Sequence, residues 1–151
     1  VRANLPRPCA SSGFPITAAQ DMNAGLKTHA IFIAAFQSAL AEVSGNAQAL
    51  ASDSAAVREL VLAVREGLTA LHQRGVPITP PALRIIFQRM PIWFATRYWR
   101  HQLAGAVGTL TLAPHAMASQ HSELPALQHD VRILLGGAAT PRLERLFAAS
   151  R

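Results

Sequence analysis

Cysteine is almost absent from this sequence, and its scarcity excludes two kinds of site. The one cysteine, Cys9, cannot form an internal disulfide and cannot supply a CxxC metal site. Long apolar runs are missing too, because no stretch approaches the ~20 apolar residues of a membrane span, although half of the residues are hydrophobic. Residues 1–8 lack the apolar core of a signal peptide. We therefore predict a cytoplasmic protein with no membrane partner.

Acidic residues are also few, and their scarcity explains the charge of the chain. Eight acidic residues stand against fourteen lysines and arginines, which gives a formal net charge of +6. Such a charge raises the question of nucleic-acid binding. However, ten of the thirteen arginines are spread singly over residues 58–145, with no run of like charge and no glycine-aromatic signature of an RNA-binding sheet. We predict no nucleic-acid partner.

Motifs that identify common enzyme classes are absent as well. The sequence has no GxGxxG or P-loop that could hold a nucleotide, and no GxSxG elbow of a serine hydrolase. Its six histidines form no HxxxH or HExxH pair. We therefore predict no metal ligands and no cofactor-binding residues in this chain.

The pattern of apolar residues indicates an all-α fold. Prolines, serines and a glycine in residues 1–16 indicate an extended arm or interdomain linker, whereas residues 17–151 read as one helical domain. Only the short stretch from Gly108 to Leu112 alternates with a period of two. Caps, prolines and glycines predict seven helices. The first runs over 18–43 with Thr17 as its N-cap, and the third begins after Thr79 as its cap and ends at Pro91. The others are 54–73, 92–103, a short helix from Pro114, 122–135 and 141–149.

Two of these helices carry apolar stripes at helical spacing, and a third carries clustered aromatic residues. The stripes consist of Leu26, Ala30, Ile33, Phe36 and Leu40 in the first helix, and of Val57, Leu60, Val61, Val64, Leu68 and Leu71 in the second. Aromatic residues beside arginines in 93–101 could stack on bases, but their spacing favours a core or subunit contact. We predict a two-fold homodimer through residues 93–99, Phe32 and Phe36.

Lys27 is the only lysine of the chain, and it lies within an apolar stretch. A lysine ammonium is compact and can donate a proton, whereas a guanidinium stays charged in proteins. Lys27 is therefore a candidate functional residue, although a lysine with its stem on an apolar surface and its head in water is the simpler interpretation. Glu123 stands at the front of an apolar helix, where the helix dipole favours a carboxylate. A solvated surface glutamate is the alternative.

Several short motifs, taken in order, resemble the helical C-terminal domain of ketopantoate reductase-like proteins. The resemblance runs from about Ala18 to Leu146, and the order and spacing of the motifs carry it more than any single one. The matching segments are Asp21-Met22-Asn23-Ala24-Gly25-Leu26-Lys27-Thr28-His29-Ala30, Glu66-Gly67-Leu68-Thr69-Ala70-Leu71, Arg74-Gly75-Val76-Pro77-Ile78, Met90-Pro91, His121-Ser122-Glu123-Leu124 and Thr140-Pro141-Arg142-Leu143.

The resemblance implies a two-domain reductase whose substrate lies between the domains. In that family an N-terminal Rossmann domain binds NADP, and the helical domain is similar to that of 6-phosphogluconate dehydrogenase. Lys27 matches the catalytic lysine that protonates the ketone oxygen, and Glu123 falls near the substrate-binding glutamate. This role is chemically reasonable, because a carbonyl that becomes an alkoxide needs a positioned cationic acid. The resemblance thus predicts the substrate-binding and dimerisation domain of an NADP-dependent 2-keto acid reductase.

Two departures from the family pattern limit these expectations. Asparagines expected one and two turns after the lysine are replaced by Ile31 and Ala35, which makes pantoate itself a doubtful ligand. The chain also has no Rossmann domain, so we expect it to bind no NADPH alone. It is then a C-terminal fragment of a longer reductase, a truncated gene product, or a half that works with a separate partner, and we expect the first of these. The competing hypothesis is a noncatalytic helical interaction module that dimerises through an apolar surface.

Overall fold

The computed structural model describes residues 21–119 and 123–150, and these residues form helices and turns without a strand. The predicted all-α class is confirmed for this part of the chain. The arm predicted over residues 1–16 lies outside it, as does Thr17. The elements, in chain order, are α1 (Met22–Glu42), α2 (Ala47–Ser52), α3 (Ser54–Gln73), α4 (Pro81–Arg84), π1 (Ile85–Arg89), α5 (Ile92–Ala104), π2 (Val107–Leu112), α6 (Ala113–Ser119), α7 (Leu124–Leu135) and α8 (Pro141–Ala149).

Helix α1 begins later than predicted. Asp21 has an extended backbone with φ −144° and ψ 90°, so a continuous helix from Ala18 is wrong. The Asp21 side chain accepts a hydrogen bond from the backbone nitrogen of Ala24 at 2.9 Å, and this bond satisfies one of the free N–H groups of the first turn. Asp21 is thus the N-cap of the helix.

Helix α1 is the centre of the fold, and α3, α6, α7 and α8 pack around it. From Ile31 onward nearly every side chain is buried, on all sides of the helix. The predicted single stripe is therefore wrong in its extent: Phe36 and Leu40 are buried, but Leu26 is 63% exposed.

Phe32 and Phe36 belong to this core, so they cannot form the dimer surface that we predicted for them.

Helix α3 matches its predicted bounds and its predicted stripe. All six stripe residues from Val57 to Leu71 have no exposed surface. Gly67 lies where α3 crosses α1, because a Cβ atom there would be 2.8 Å from Ile31 Cγ2 and 3.1 Å from Leu143 Cδ2. Glycine at this position permits the close approach of three helices.

An aromatic cluster closes the core beside α5. The Phe32 ring lies 4.4 Å from the Phe36 ring and 5.4 Å from Trp99, and the Phe87 ring lies 5.6 Å from Trp99, all between centroids. Trp99 is buried, as the aromatic spacing predicts. Trp93 is 67% exposed and lies outside the core.

Glycines and prolines end the helices largely where predicted. Gly75 after α3 has φ +82°, and Gly136 and Gly137 after α7 have φ +57° and +78°, conformations that favour glycine. The capping role predicted for Thr79 is wrong, because Pro80 stands at the N-cap of α4 and makes no side-chain cap bond.

Three local features were not predicted. Helix α2 has six residues, too few to show a periodic apolar pattern, so the pattern of the sequence predicts no helix there. Residues 85–89 adopt π-helical geometry, in which the backbone nitrogen of Met90 bonds to the Ile85 carbonyl at 3.0 Å. The alternating stretch from Gly108 to Leu112 is also π-helical rather than extended.

Polar side chains join the ends of separate helices. Arg65 of α3 donates to the backbone carbonyls of Phe87 and Met90, the latter at 2.7 Å. Arg100 of α5 donates from Nε to the Ala51 carbonyl at 2.8 Å, at the last turn of α2. These bonds satisfy carbonyls that a helix cannot pair internally.

Candidate functional site

Lys27 lies in the second turn of α1 and is half-buried. The residue after it is firmly held, because the Thr28 hydroxyl donates to the Ala24 carbonyl at 2.8 Å and accepts from the Thr79 nitrogen at 3.4 Å. Lys27 itself makes no hydrogen bond or ion pair within residues 21–119 and 123–150. Its ammonium group thus stands on a well-anchored turn, and none of the described residues engages it.

The surface around Lys27 is partly apolar. Leu26 is 63% exposed, and Met22 at the start of the helix is 66% exposed. Asn23 stands one turn before Lys27 and is also exposed. Residues four apart share a helix face, so Asn23 and Lys27 together present an amide and an ammonium group.

The face of α1 that carries Lys27 enters the core one turn later. Ile31 and Ala35 stand one and two turns after Lys27, and neither has exposed surface. Ile31 meets α3 at Gly67. A ligand beside Lys27 therefore cannot extend along α1 in this direction, which explains why these positions hold apolar residues.

Glu123 immediately precedes α7 and is exposed. Its side chain makes no capping hydrogen bond, although its backbone carbonyl accepts from the Leu127 nitrogen at 2.9 Å. No hydrogen bond or ion pair joins Glu123 to Lys27. Helices α1 and α7 pack against each other, but the structure does not bring these two predicted site residues into contact.

A cleft of about 460 Å³ lies between the end of α1 and α8, and neither Lys27 nor Glu123 is among its lining residues. Most of the lining residues are apolar, and Glu42 is one of the charged ones. Partial burial raises the pKa of the Glu42 carboxyl above its ordinary value of 4.5. The lining residues are Ala39, Glu42, Val43, Leu50, Asp53, Ala55, Ala56, Glu59, Arg142, Arg145, Leu146 and Ala149.

Most charges of this cleft are already engaged. Asp53 Oδ1 accepts hydrogen bonds from the nitrogens of Ala55 and Ala56 at 2.8 and 3.0 Å, as the N-cap of α3. Glu59 pairs with Arg142. Glu42 is the one carboxyl of the cleft lining without a partner among the described residues.

A second cleft, of about 580 Å³, lies on the surface where α2 and α5 meet. Its described lining is basic and includes no carboxylate: Gln48, Ala51, Ser52, Arg97, Arg100, His101 and Ala104. In the sequence, the arginines of α5 are dispersed charges rather than a basic run. Their spacing shows a shared helix face, but the opposing side chains of α2 could not be foreseen because α2 was not predicted.

Within the described ranges, no three histidine, cysteine, aspartate or glutamate side chains come close enough to hold a metal ion together. No helix in those ranges combines the length and the apolar character that crossing a bilayer requires.

Comparison with known proteins gives no neighbour for this chain. No protein-family model matches the sequence, and neither a curated protein nor a solved structure is significantly similar to it.

Proposed function

We propose that this chain is the substrate-side helical domain of an NADP-dependent 2-keto acid reductase, with Lys27 as the general acid. The observation that carries the proposal is the half-buried Lys27, which has no partner among the described residues and stands on a turn anchored by Thr28. Exposed Met22 and Leu26 beside it are consistent with a surface that another domain covers. The sequence resemblance supports the same assignment.

In this proposal Lys27 donates a proton from Nζ to the ketone oxygen as the carbonyl is reduced. An ammonium group beside the oxygen also stabilises the negative charge that develops there. Glu123 is proposed to bind a polar group of the substrate, and this role requires a substrate that spans the separation between the two side chains. Because Ile31 and Ala35 are buried, contacts to the substrate come from the first two turns of α1.

The residues of this chain do not fit a dinucleotide. The described ranges contain no strand, and the sequence has no glycine-rich loop that could approach a pyrophosphate. We therefore derive no cofactor contact from this chain, and propose that a separate Rossmann domain holds NADP.

The reading frame upstream of Val1 provides the first test, since a strand followed by GxGxxG would support the reductase. The product of the whole reading frame is then assayed for NADPH oxidation with a series of 2-keto acids. Lys27→Met should lower kcat by roughly 10²–10⁴-fold, the usual contribution of a general acid. Arg84→Met removes an exposed cation elsewhere and should leave the rate unchanged. Full activity of Lys27→Met would refute the assignment.

A noncatalytic interaction module is the second candidate, and the exposed aromatic residues favour it. Trp93 and Phe94 are 67% and 39% exposed, and the centroids of their rings lie 5.7 Å apart. Adjacent large apolar side chains at a surface are typical of protein contacts. We propose a two-fold homodimer through this pair, which is compatible with either function.

A further inference from the structure

The cleft between α2 and α5 concentrates hydrogen-bond donors and positive charge. Arg97, Arg100 and His101 lie three and four positions apart, so they share one face of α5. Gln48 and Ser52, four positions apart on α2, face them across the cleft. All five side chains belong to exposed residues, and a small solute can reach them without any movement of the core.

Arg100 is already oriented within this cleft. Its Nε donates to the Ala51 carbonyl at 2.8 Å, and this bond fixes the plane of the guanidinium group. The two terminal nitrogens of Arg100 make no hydrogen bond or ion pair to the described residues. A guanidinium held by one nitrogen presents its remaining donors as a rigid fork, which suits a planar or tetrahedral oxyanion.

The positive charges of the cleft have no counterion among the residues that the structure describes. The ion pairs within residues 21–119 and 123–150 are Arg58–Glu59, Arg132–Glu144 and Arg142–Glu59, and none of them lies in this cleft. Like charges on successive helical turns repel each other. An anion bound between Arg97 and Arg100 would remove this repulsion.

We propose that this cleft binds the phosphate group of a small molecule. Two guanidinium groups carry two permanent positive charges, which match a phosphate dianion better than a single carboxylate. The Gln48 amide and the His101 ring supply further donors. Ser52 contributes less, because its hydroxyl already donates to the Ala49 carbonyl at 2.7 Å. This site is independent of Lys27 and of the proposed reductase function.

The 151-residue chain is titrated with inorganic phosphate by calorimetry, with sodium chloride holding the ionic strength constant. We expect saturable binding with one site per chain. Arg97→Gln should weaken it about tenfold, the effect of one charge-assisted hydrogen bond. Arg84→Gln removes the same charge outside the cleft and should bind phosphate as the parent chain does. Circular dichroism checks that both variants keep the same helix content.

Further titrations distinguish the sources of the phosphate group. Glycerol phosphate should bind at least as tightly as inorganic phosphate if the natural ligand is an ester, whereas a preference for the free ion identifies inorganic phosphate itself. The proposal is overturned if phosphate does not saturate, if Arg97→Gln binds it unchanged, or if Arg84→Gln loses as much affinity. Equal binding of acetate at the same ionic strength would also overturn the assignment of a phosphate ligand.

Discussion

The carboxylate of Glu66 caps a helix seventy-seven residues away, since its Oε2 accepts from the backbone nitrogen of Leu143 at 3.1 Å. The same oxygen accepts from the Arg142 nitrogen at 2.8 Å. Thr140, the N-cap residue of α8, makes no side-chain cap bond. Glu66 of α3 thus supplies the capping oxygen that Thr140 does not, and these bonds hold α8 against α3.

Replacing Glu66 should destabilise the fold measurably. Glu66→Ala removes two charge-assisted bonds to the first turn of α8, so the free energy of unfolding should fall by about 1–2 kcal/mol. The control is Glu59→Ala, which removes only exposed ion pairs and should lower the free energy of unfolding by about 0–1 kcal/mol. Chemical denaturation followed by circular dichroism measures both, and equal losses would contradict the capping role.

The crossing at Gly67 should not tolerate a methyl group. In Gly67→Ala the new Cβ would meet Ile31 Cγ2, which is buried and attached directly to Cβ, so it cannot swing aside. We expect a net destabilisation of about 1–3 kcal/mol from overpacking. At Gly25 the same change meets only Thr79 Cγ2 at 3.7 Å, an ordinary contact. Gly25→Ala should therefore stabilise α1 by about 0.5–1 kcal/mol.

The two glycine variants test the packing directly when thermal unfolding compares them with the parent chain. Opposite changes in Tm are expected. If Gly67→Ala raised the Tm as Gly25→Ala does, the helices would not be as close at Gly67 as the structure places them.

Glu42 should make the fold less stable as the pH rises. Burial raises its folded pKa above 4.5, so the folded state binds more protons than the unfolded state between the two pKa values. Its unfavourable contribution is therefore absent below the unfolded pKa and is complete above the raised folded pKa. Glu42→Gln should abolish this component, so the stability gained by the variant should be larger at pH 7 than at pH 4. Urea denaturation at several pH values decides the point, and a gain independent of pH would argue against burial as the cause.

Self-association should depend on Trp93. In Trp93→Ser the proposed contact loses its largest apolar side chain, and we expect the dimer to dissociate at micromolar concentration. Leu110→Ser is the matched control, because Leu110 is 76% exposed on a different segment, π2. Sedimentation velocity measures the molecular mass of the parent chain and of both variants. A parent chain that stays monomeric at that concentration would refute the homodimer.

The parts of the fold that could be predicted are those with long, regular signals. Helix α3 has six stripe residues, a glycine stop and one covered face, and its prediction agrees with the structure. The stripe predicted for helix α1 is wrong at Leu26, because a sequence pattern does not reveal how many neighbours surround a helix. Its start was misplaced because Thr17 and Asp21 are both good N-caps.

The site was harder to predict for a related reason. Lys27 stood out because its residue type is unique in the chain. The basic cleft depends on Arg97 and Gln48, which are far apart in the sequence and meet only when α2 packs against α5. Neither residue is unusual in its local context, so no local pattern could have singled them out.

Helix α1 divides into two parts with different access to solvent. Its second half is enclosed by other helices, so amide hydrogens there should exchange with solvent much more slowly than those of an exposed helix. Its first two turns have one exposed side, and the bonds of Thr28 to Ala24 and Thr79 hold them in place. A ligand or a second domain can therefore reach the turn that carries Lys27 without any movement of the core, with the rest of the same helix acting as a fixed base.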